Sequence, residues 1–156
     1  MLTNTKNHIP FMLAVKHSEN LNDQPWLYSI KDILSNGWVY IDIDRTLSEK
    51  GYSVPIGYNL TDNAKLLRTT IYFDGRGKQV IEGDVYGIIE KDGSASEAYR
   101  VKWDNRGYFK LCDCYEDWEE SFSDFGGREV FIYFDFIGNV NNPKFKLPPE
   151  WKDEIE

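Results

Sequence analysis

Asp42 and Asp44, in the stretch VYIDIDRTL, have the types and spacing used by phosphotransferases with an aspartate nucleophile. In those enzymes the first aspartate is the nucleophile and the second acts as acid and base beside Mg²⁺. Such an enzyme also needs a later lysine and a further acidic pair on a doubly wound sheet, but residues 47–156 show no alternation of strand and helix patterns. We therefore expect no enzyme, with a Mg²⁺-dependent phosphotransferase as the least favoured alternative. The two aspartates fit the solvent face of a strand whose core face carries Ile41 and Ile43.

The cysteines and histidines do not have the spacing of metal ligands. Cys112 and Cys114 lack a second Cys or His pair at zinc-site spacing, and His8 and His17 are distant in sequence. Because the two cysteines are one residue apart on a predicted strand, they also suit a structural disulfide poorly. We expect two free thiols, no bound metal and no cofactor.

The glycine-rich stretch FDGRGKQVIEGDV, residues 73–85, contains the residue types of phosphate-binding loops. A Walker loop requires Gly-Lys followed by Ser or Thr, whereas Gln79 stands there and no helical pattern comes after it. The dinucleotide-binding fingerprint fails because no strand–turn–helix unit surrounds the glycines. The stretch instead predicts a hairpin tip at residues 74–78 and a second tight turn at Gly83 and Asp84.

The stretch YRVKWDNRGYFKL, residues 99–111, predicts a hairpin with one basic face. Alternation along the strands assigns one set of side chains to the core: Tyr99, Val101, Trp103, Phe109 and Leu111. The other set shares the outer face: Arg100, Lys102, Tyr108 and Lys110. Small barrels use such basic and aromatic faces to neutralise and stack single-stranded nucleic acid. The simpler interpretation is solubility charge across two strands, and the net charge of the chain favours it.

The segment DCYEDWEESFSDFGG, residues 113–127, carries six acidic side chains, four aromatic ones and no cation. A helical turn would align Tyr115, Trp118 and Phe122 and leave the acids outward, which predicts an inserted flap. Such a surface suits a protein-binding patch, or a mimic of nucleic-acid phosphates that inhibits a host enzyme. The candidate patch consists of Glu116, Asp117, Trp118, Glu119, Glu120 and Phe122. The alternative is a solvated acidic face.

The formal net charge of the 156-residue chain, −8, lies entirely in its second part. Residues 1–73 carry seven basic and seven acidic side chains, so residues 74–156 hold the excess acid. This balance disfavours non-specific binding to nucleic acid, where affinity comes mainly from cations that displace counterions. No apolar run approaches the ~20 residues of a membrane span, and the amino terminus lacks the order of a secretory signal. We expect a soluble, cytoplasmic protein without membrane contact.

The first part of the chain predicts helices. Apolar residues recur at helical spacing in NDQPWLYSIKDILSNGW, which Asp23 can cap and Gly37 can end. This helix should pack on a strand at residues 38–44 and on the apolar residues of 11–15. A second short helix is predicted from about Thr61 to Leu67.

After Thr70 the pattern changes to short alternating runs separated by glycine turns. Strands are predicted at residues 85–90, 99–103, 108–111 and 129–136. The expected fold class is α+β, an N-terminal helix-on-sheet part followed by a small, strongly bent SH3-like β-barrel. The expected subdomains are residues 1–69, residues 70–147 with the acidic insertion 113–127, and an acidic tail at 148–156.

Three ordered stretches of the second half resemble the YopX family of phage and prophage proteins. DGRGKQVIEGDV is similar to D-x-x-G-K-x-I-x-E-G-D-I, VKWDNRGYFKL to V-x-W-D-x-x-G-x-F-x-L, and FIGNVNNPKF to I-G-N-I-x-x-N-P-x-L. The matching motif residues include Asp74, Gly77, Lys78, Glu82, Gly83, Asp84, Trp103, Gly138, Asn139 and Pro143. The first half departs from the family, because FMLAVKHSEN stands where an Arg-Ala-Trp-Asp strand is expected. The resemblance implies an α+β amino-terminal part, a β-barrel carboxyl-terminal part and no assigned activity, so no catalytic residue transfers.

Together these observations predict a non-catalytic phage or prophage accessory protein in the cytoplasm of a bacterial host cell. We expect it to act through contacts with a host or phage protein, or with another copy of itself. The alternatives are a module that binds single-stranded nucleic acid through the basic hairpin face, and an acidic nucleic-acid mimic that inhibits a host enzyme.

Overall fold

The structure is a computed structural model, which describes residues 11–16, 25–29, 40–45, 64–114, 118–121, 127–143 and 145. The first of its two antiparallel sheets consists of β1 (Phe11–Lys16), β2 (Pro25–Ser29), β3 (Tyr40–Asp42), β4 (Ala64–Phe73) and β5 (Gln79–Ile81). The strand order is β3-β2-β1-β4-β5. The long strand β4 pairs with β1 through its first part and with β5 through its second part.

The second sheet follows along the chain and curls into a half-barrel. It consists of β6 (Asp84–Ile89), β7 (Ala95–Asp104), β8 (Tyr108–Asp113), β9 (Trp118–Ser121) and β10 (Asp135–Asn139), in the order β10-β6-β7-β8-β9. A short helix of seven residues, α1 (Gly127–Tyr133), lies between β9 and β10 in the sequence. The described part of the chain contains no helix with the length and apolar composition of a membrane span.

The predicted α+β fold with an N-terminal helix on a sheet is wrong, because the described residues are mostly β-strand. Where the long helix was expected, β2 lies between β1 and β3. Trp26, Leu27 and Tyr28 are consecutive and all buried, so both faces of the strand are covered, whereas a surface helix would bury one stripe. Pairing on both sides therefore overrides the local helical spacing. Residues 30–39 lie outside the described residues.

The second predicted helix is also a strand. Residues 64–67 begin β4, where Leu67 is fully buried and stands opposite Met12 of β1. Neighbouring Lys65 and Leu66 are exposed, and the hydrogen bonds to β1 determine the conformation of this stretch. The residues before Ala64, including the predicted cap Thr61, lie outside the described residues.

The strand predicted at residues 129–136 is instead α1 followed by β10. Val130 and Phe131 are buried, Phe134 packs against the same core, and Tyr133 is 79% exposed. The N–H of Phe134 donates to the carbonyl of Val130 at 3.0 Å, which is the helical i to i−4 bond. Burial at positions i, i+1 and i+4 therefore follows the helical period, although β-branched and aromatic residues favour a strand locally.

The acidic insertion also contains a strand where a helical turn was expected. β9 pairs with β8 in a register that sets Ser121 opposite Lys110 and Glu119 opposite Cys112. The predicted acidic patch and the predicted basic hairpin are therefore neighbours in one sheet. Residues 115–117 and 122–126 lie outside the described residues.

The predicted meander of β6, β7 and β8 is confirmed, as is the hairpin tip between β4 and β5. Gly93 and Gly107 have φ angles of 87° and 101°, which the two tight turns of the meander require. The turn at Gly83 and Asp84 is also present. Local turn chemistry therefore determines these elements.

Two cores lie on opposite faces of β5. Ile81 belongs to the core of the first sheet, with Met12, Ala14, Leu27, Ile43 and Leu67. Val80 belongs to the core of the half-barrel, with Tyr86, Tyr99, Val101, Leu111, Val130 and Phe131. Both Val80 and Ile81 are fully buried, so the turn that follows β5 lies at the junction of the two cores.

Candidate functional site

Asp84, the first residue of β6, is the centre of a buried polar network. Its Oδ1 accepts hydrogen bonds from Arg45 Nη2 at 2.5 Å and from Asn139 Nδ2 at 2.8 Å. Its Oδ2 accepts from the N–H of Ile81 at 2.9 Å and lies 3.3 Å from the hydroxyl of Tyr86, whose single proton it shares with Asp74. Burial alone lowers the pKa of Arg45, but the adjacent Asp84 carboxylate outweighs burial and raises it. Arg45 therefore stays charged inside the protein.

Asp74 stabilises the hairpin tip between β4 and β5 and also accepts a hydrogen bond from Tyr86. Its Oδ1 accepts the N–H groups of Arg76 and Lys78 at 2.9 and 3.0 Å, and its Oδ2 accepts the hydroxyl of Tyr86 at 2.9 Å. The guanidinium of Arg76 also donates to Oδ2 at 2.9 Å and lies 3.9 Å from the ring centroid of Phe136. Burial raises the pKa of Tyr86 well above its usual value, so its hydroxyl keeps its proton and remains a donor.

Gly83 brings the three stretches of the resemblance together. Its N–H donates to the carbonyl of Val101 at 2.9 Å, and its carbonyl accepts the N–H of Val140 at 3.0 Å. With φ of 93°, Gly83 has a left-handed conformation, and an added Cβ would lie 2.5 Å from Asn141 Nδ2. The turn can therefore hold only a glycine without displacement of its neighbours.

A groove of about 370 Å³ opens beside this turn. We call it the basic groove, because four of its lining residues are cations: Lys65, Arg100, Lys102 and Lys110. The other polar and aromatic lining residues are Glu82, Trp103, Asn105 and Asn141. Both sheets contribute, since Lys65 belongs to β4 and most of the others belong to β7, β8 and the turn between them.

The strand register brings the cations of the second sheet together. Lys102 of β7 stands directly opposite Lys110 of β8, and Arg100 lies two residues along β7 on the same face. Like charges directly opposite each other destabilise a sheet. Asp104 offsets part of this repulsion, because its Oδ2 accepts a hydrogen bond from Lys110 Nζ at 3.3 Å. An anionic ligand in the basic groove would offset more of the repulsion between these cations.

Glu82, Lys65 and Trp103 of the basic groove are held by neighbouring residues. Glu82 Oε1 accepts the N–H of Arg68 at 3.1 Å, and Lys65 Nζ donates to Asn141 Oδ1 at 2.9 Å. The guanidinium of Arg68 lies 4.7 Å from the ring centroid of Trp103, which orients that ring at the edge of the groove. The groove is therefore largely preformed.

The structure agrees only in part with the basic face that the sequence predicts. Lys102 and Lys110 are half-buried and line the groove, whereas Arg100, expected on an outer face, is only 5% exposed. Tyr108 does not line the groove, and its hydroxyl accepts a hydrogen bond from Arg106 Nη2 at 2.5 Å. The basic surface is therefore concave, and the buried Arg100 is one of the residues that line it.

The predicted acidic patch is described only in part. The backbone of Trp118, Glu119 and Glu120 forms most of β9. Glu116, Asp117 and Phe122 lie outside the described residues, as do His8 and His17.

Three residues that the enzyme and metal alternatives concern, Asp44, Cys112 and Cys114, do not line the basic groove. Asp44 Oδ2 accepts a hydrogen bond from Asn142 Nδ2 at 2.8 Å, and the Asp44 carbonyl accepts one from Arg76 Nη1 at 2.8 Å. Asp44 follows the end of β3, so it does not share a strand face with Asp42. The described ranges contain no group of three or more His, Cys, Asp or Glu that could hold a metal ion. Cys112 and Cys114 are buried and are not joined by a disulfide.

The other motif residues of the resemblance occupy turns and packing positions. Gly77 has φ of 78° at the open hairpin tip, and Pro143 is exposed. Gly138 packs closely against Phe145, since an added Cβ would lie 2.3 Å from that ring. These positions are explained by chain geometry.

Sequence reasoning missed three polar lining residues of the groove as site residues: Lys65, Asn105 and Asn141. Lys65 lies in a predicted helix and Asn141 follows the last strand, so only the pairing of distant strands brings them to the groove. Glu82 was recognised as a motif residue but not as part of a site. The one sequence signal was that the three resembling stretches, which meet at Gly83, include or flank most of the lining.

The sequence matches no family model and no curated protein, and the fold matches no solved structure. The resemblance to the YopX family therefore stays a prediction.

Proposed function

We propose that the protein binds single-stranded nucleic acid, without catalysis, by holding the phosphates of the strand in the basic groove. The observation that carries this proposal is the convergence of four cations from three strands beside Trp103. Lysine and arginine neutralise backbone phosphates, and an arginine can bind a phosphate through two parallel hydrogen bonds.

The net charge of −8 determines how such binding would behave. At physiological ionic strength the Debye length is about 8 Å, so the acidic surface is screened from a strand that sits in the groove. The acidic surface still weakens the long-range attraction that drives non-specific binding. We therefore expect modest affinity and few phosphate contacts. With about three contacts, the slope of log K against log salt would be about −2 for a single strand.

Fluorescence anisotropy with a labelled single-stranded DNA pentanucleotide tests the proposal. Lys102→Glu should lower the affinity about tenfold or more, because it places a carboxylate where the strand carries phosphate. The variant should fold, since Glu at position 102 would stand opposite Lys110 and form a favourable cross-strand pair. Lys91→Glu is the matched control, because Lys91 is exposed in the β6–β7 turn and does not line the groove. Absence of binding by the intact protein, or an equal loss in both variants, would contradict the proposal.

Contact with a protein or with a second copy of the chain is a second candidate function, and an apolar surface favours it. Ile89 and Tyr133 are 45% and 79% exposed, and both line a second groove of about 690 Å³ together with Phe134 and Phe136. Exposed apolar groups beside a concave surface are typical of interaction sites. Sedimentation velocity of the intact protein and of Ile89→Ser/Tyr133→Ser tests self-association. A monomer at all concentrations in both would exclude association with another copy.

A further inference from the structure

We propose that Glu82 gives the basic groove a preference for guanine, an inference that rests on the proposed function. Among the described residues that line the groove, Glu82 is the only one with a carboxylate. A carboxylate among four cations weakens the attraction for phosphate, so it reduces affinity for a polyanion unless the ligand donates hydrogen bonds to it.

The main chain holds Glu82 in place. Its Oε1 accepts the N–H of Arg68 at 3.1 Å, and its own N–H donates to the Arg68 carbonyl at 3.0 Å. Oε2 accepts no hydrogen bond from the residues that the structure describes. An ionised carboxylate offers about four acceptor positions, so most of the accepting capacity of Glu82 is open to a ligand. Because its first oxygen is anchored, the carboxylate is oriented before the ligand arrives.

A nucleic-acid strand presents donors mainly on its bases, and the bases differ in how many they offer to one carboxylate. Guanine has two adjacent donors, N1–H and N2–H₂, on its Watson–Crick edge, and a carboxylate accepts both. Thymine and uracil have a single N3–H between two carbonyl oxygens, which a carboxylate repels. Adenine and cytosine each have one amino group beside a ring acceptor. The expected order of preference is therefore guanine, then adenine and cytosine, then thymine or uracil.

The size of the groove agrees with recognition of one base. About 370 Å³ lies at the lower end of the range of roughly 300–1,000 Å³ for small-molecule sites. A single nucleotide unit fits this volume, with its phosphate on the cations and its base toward Glu82. Flanking nucleotides would lie outside and contribute mainly through their phosphates.

Five labelled DNA pentanucleotides of sequence TTXTT, with X as guanine, inosine, adenine, cytosine or thymine, test the inference by anisotropy at one salt concentration. A single central guanine avoids the stacked structures of guanine-rich strands. We expect TTGTT to bind about tenfold more tightly than TTTTT. Inosine lacks only the N2 amino group, so TTITT should fall between them without any change to the protein.

Glu82→Gln tests the residue, because glutamine keeps an oxygen for the N–H of Arg68 but carries an amide donor in place of the second acceptor. The ratio of guanine to thymine affinity should fall to about one in this variant. Glu90→Gln is the control, since it removes the same charge from an exposed residue just after β6 that does not line the groove. The ratio of guanine to thymine affinity in this control variant should equal that of the intact protein.

The outcomes separate this inference from the proposed function. If all five strands bind the intact protein equally, and Glu82→Gln tightens all of them by the same factor, Glu82 acts only through its charge. The base preference is then overturned while nucleic-acid binding stands. If no strand binds the intact protein, both proposals fail.

Discussion

Arg45 and Asp84 are 39 residues apart in sequence and form a buried ion pair that joins the two sheets. Arg45 follows β3 of the first sheet, and Asp84 begins β6 of the second. Their side chains are 1% and 0% exposed, so water does not screen the attraction. Arg45 Nε and Nη1 have no hydrogen-bond partner among the described residues, which makes the guanidinium depend strongly on Asp84.

Asp84→Asn should destabilise the protein by about 3–5 kcal/mol, because it leaves the guanidinium of Arg45 buried without a counter-charge. Asparagine has nearly the same shape, so the loss reflects charge and hydrogen bonding. The free energy of unfolding, from urea titration followed by tryptophan fluorescence, measures the effect. The double variant Arg45→Met/Asp84→Asn should cost less than the sum of the two single changes, because it removes the stranded charge. Additive costs would show that the two residues are not coupled.

Gly83→Ala should be more costly than Gly107→Ala, although both glycines have similar positive φ angles of 93° and 101°. At Gly107 an added Cβ meets no atom within 4 Å, so only the backbone penalty of about 1–2 kcal/mol applies. At Gly83 the Cβ would also press on Asn139 Oδ1 and Asn141 Nδ2, which adds about 1–3 kcal/mol. The midpoints of thermal unfolding of the two variants, measured side by side, separate the cost of the steric contact from the cost of the backbone conformation. Equal destabilisation would mean that the asparagines move aside freely.

Asp104 should make the stability of the protein depend on acid pH. Hydrogen bonds from the side chain and N–H of Arg106, and then from Lys110, hold the pKa of Asp104 well below its usual value. Since the folded pKa is lower than the unfolded value of about 3.9, the stabilisation is complete above that value and is lost as the pH falls below it. The difference in unfolding free energy between the intact protein and Asp104→Asn should therefore shrink between pH 6 and pH 2.5. A constant difference over this range would contradict the assignment.

The thiols of Cys112 and Cys114 should react with Ellman's reagent only after unfolding. The two residues are 4% and 0% exposed, and a buried cysteine in packed surroundings is inert. We expect almost no reaction of the native protein within minutes. In guanidinium chloride both thiols should react and release two equivalents of thionitrobenzoate. Rapid release of one equivalent of thionitrobenzoate from the native protein would show that the β8–β9 region opens readily.

The sequence predicts the elements that local turns determine and misses those that depend on distant pairing. The meander of β6, β7 and β8 follows from Gly93 and Gly107, because turn conformation and strand alternation act within a few residues. β2 was predicted as a helix because its apolar spacing is ambiguous, and only the contacts with β1 and β3 decide for a strand. For α1 the prediction was wrong in the opposite direction. Residues that favour a strand locally form a helix there, in which Val130 and Phe131 fill one side of the core.

The candidate site shows the same division. Lys102 and Lys110 were found from the sequence because they belong to one hairpin with a regular alternation. Lys65 and Glu82 reach the groove only through the pairing of β4 with β1 and through the turn after β5. Burial of Arg100 could not be foreseen, because it depends on how far the second sheet curls.

The hydrogen bond between Asn142 and Asp44 spans 98 residues, and this separation constrains how the chain is completed on a ribosome. At translation rates of roughly 5–20 residues per second, Asn142 is added on the order of 5–20 s after Asp44. During that interval the Asp44 carboxylate cannot form its hydrogen bond with Asn142, and the guanidinium of Arg45 is solvated until Asp84 has also emerged. All five strands of the first sheet are therefore synthesised by Ile81, long before the contact that Asn142 makes with Asp44. A nascent chain arrested before Asn142 would present this sheet to chaperones and proteases without that contact.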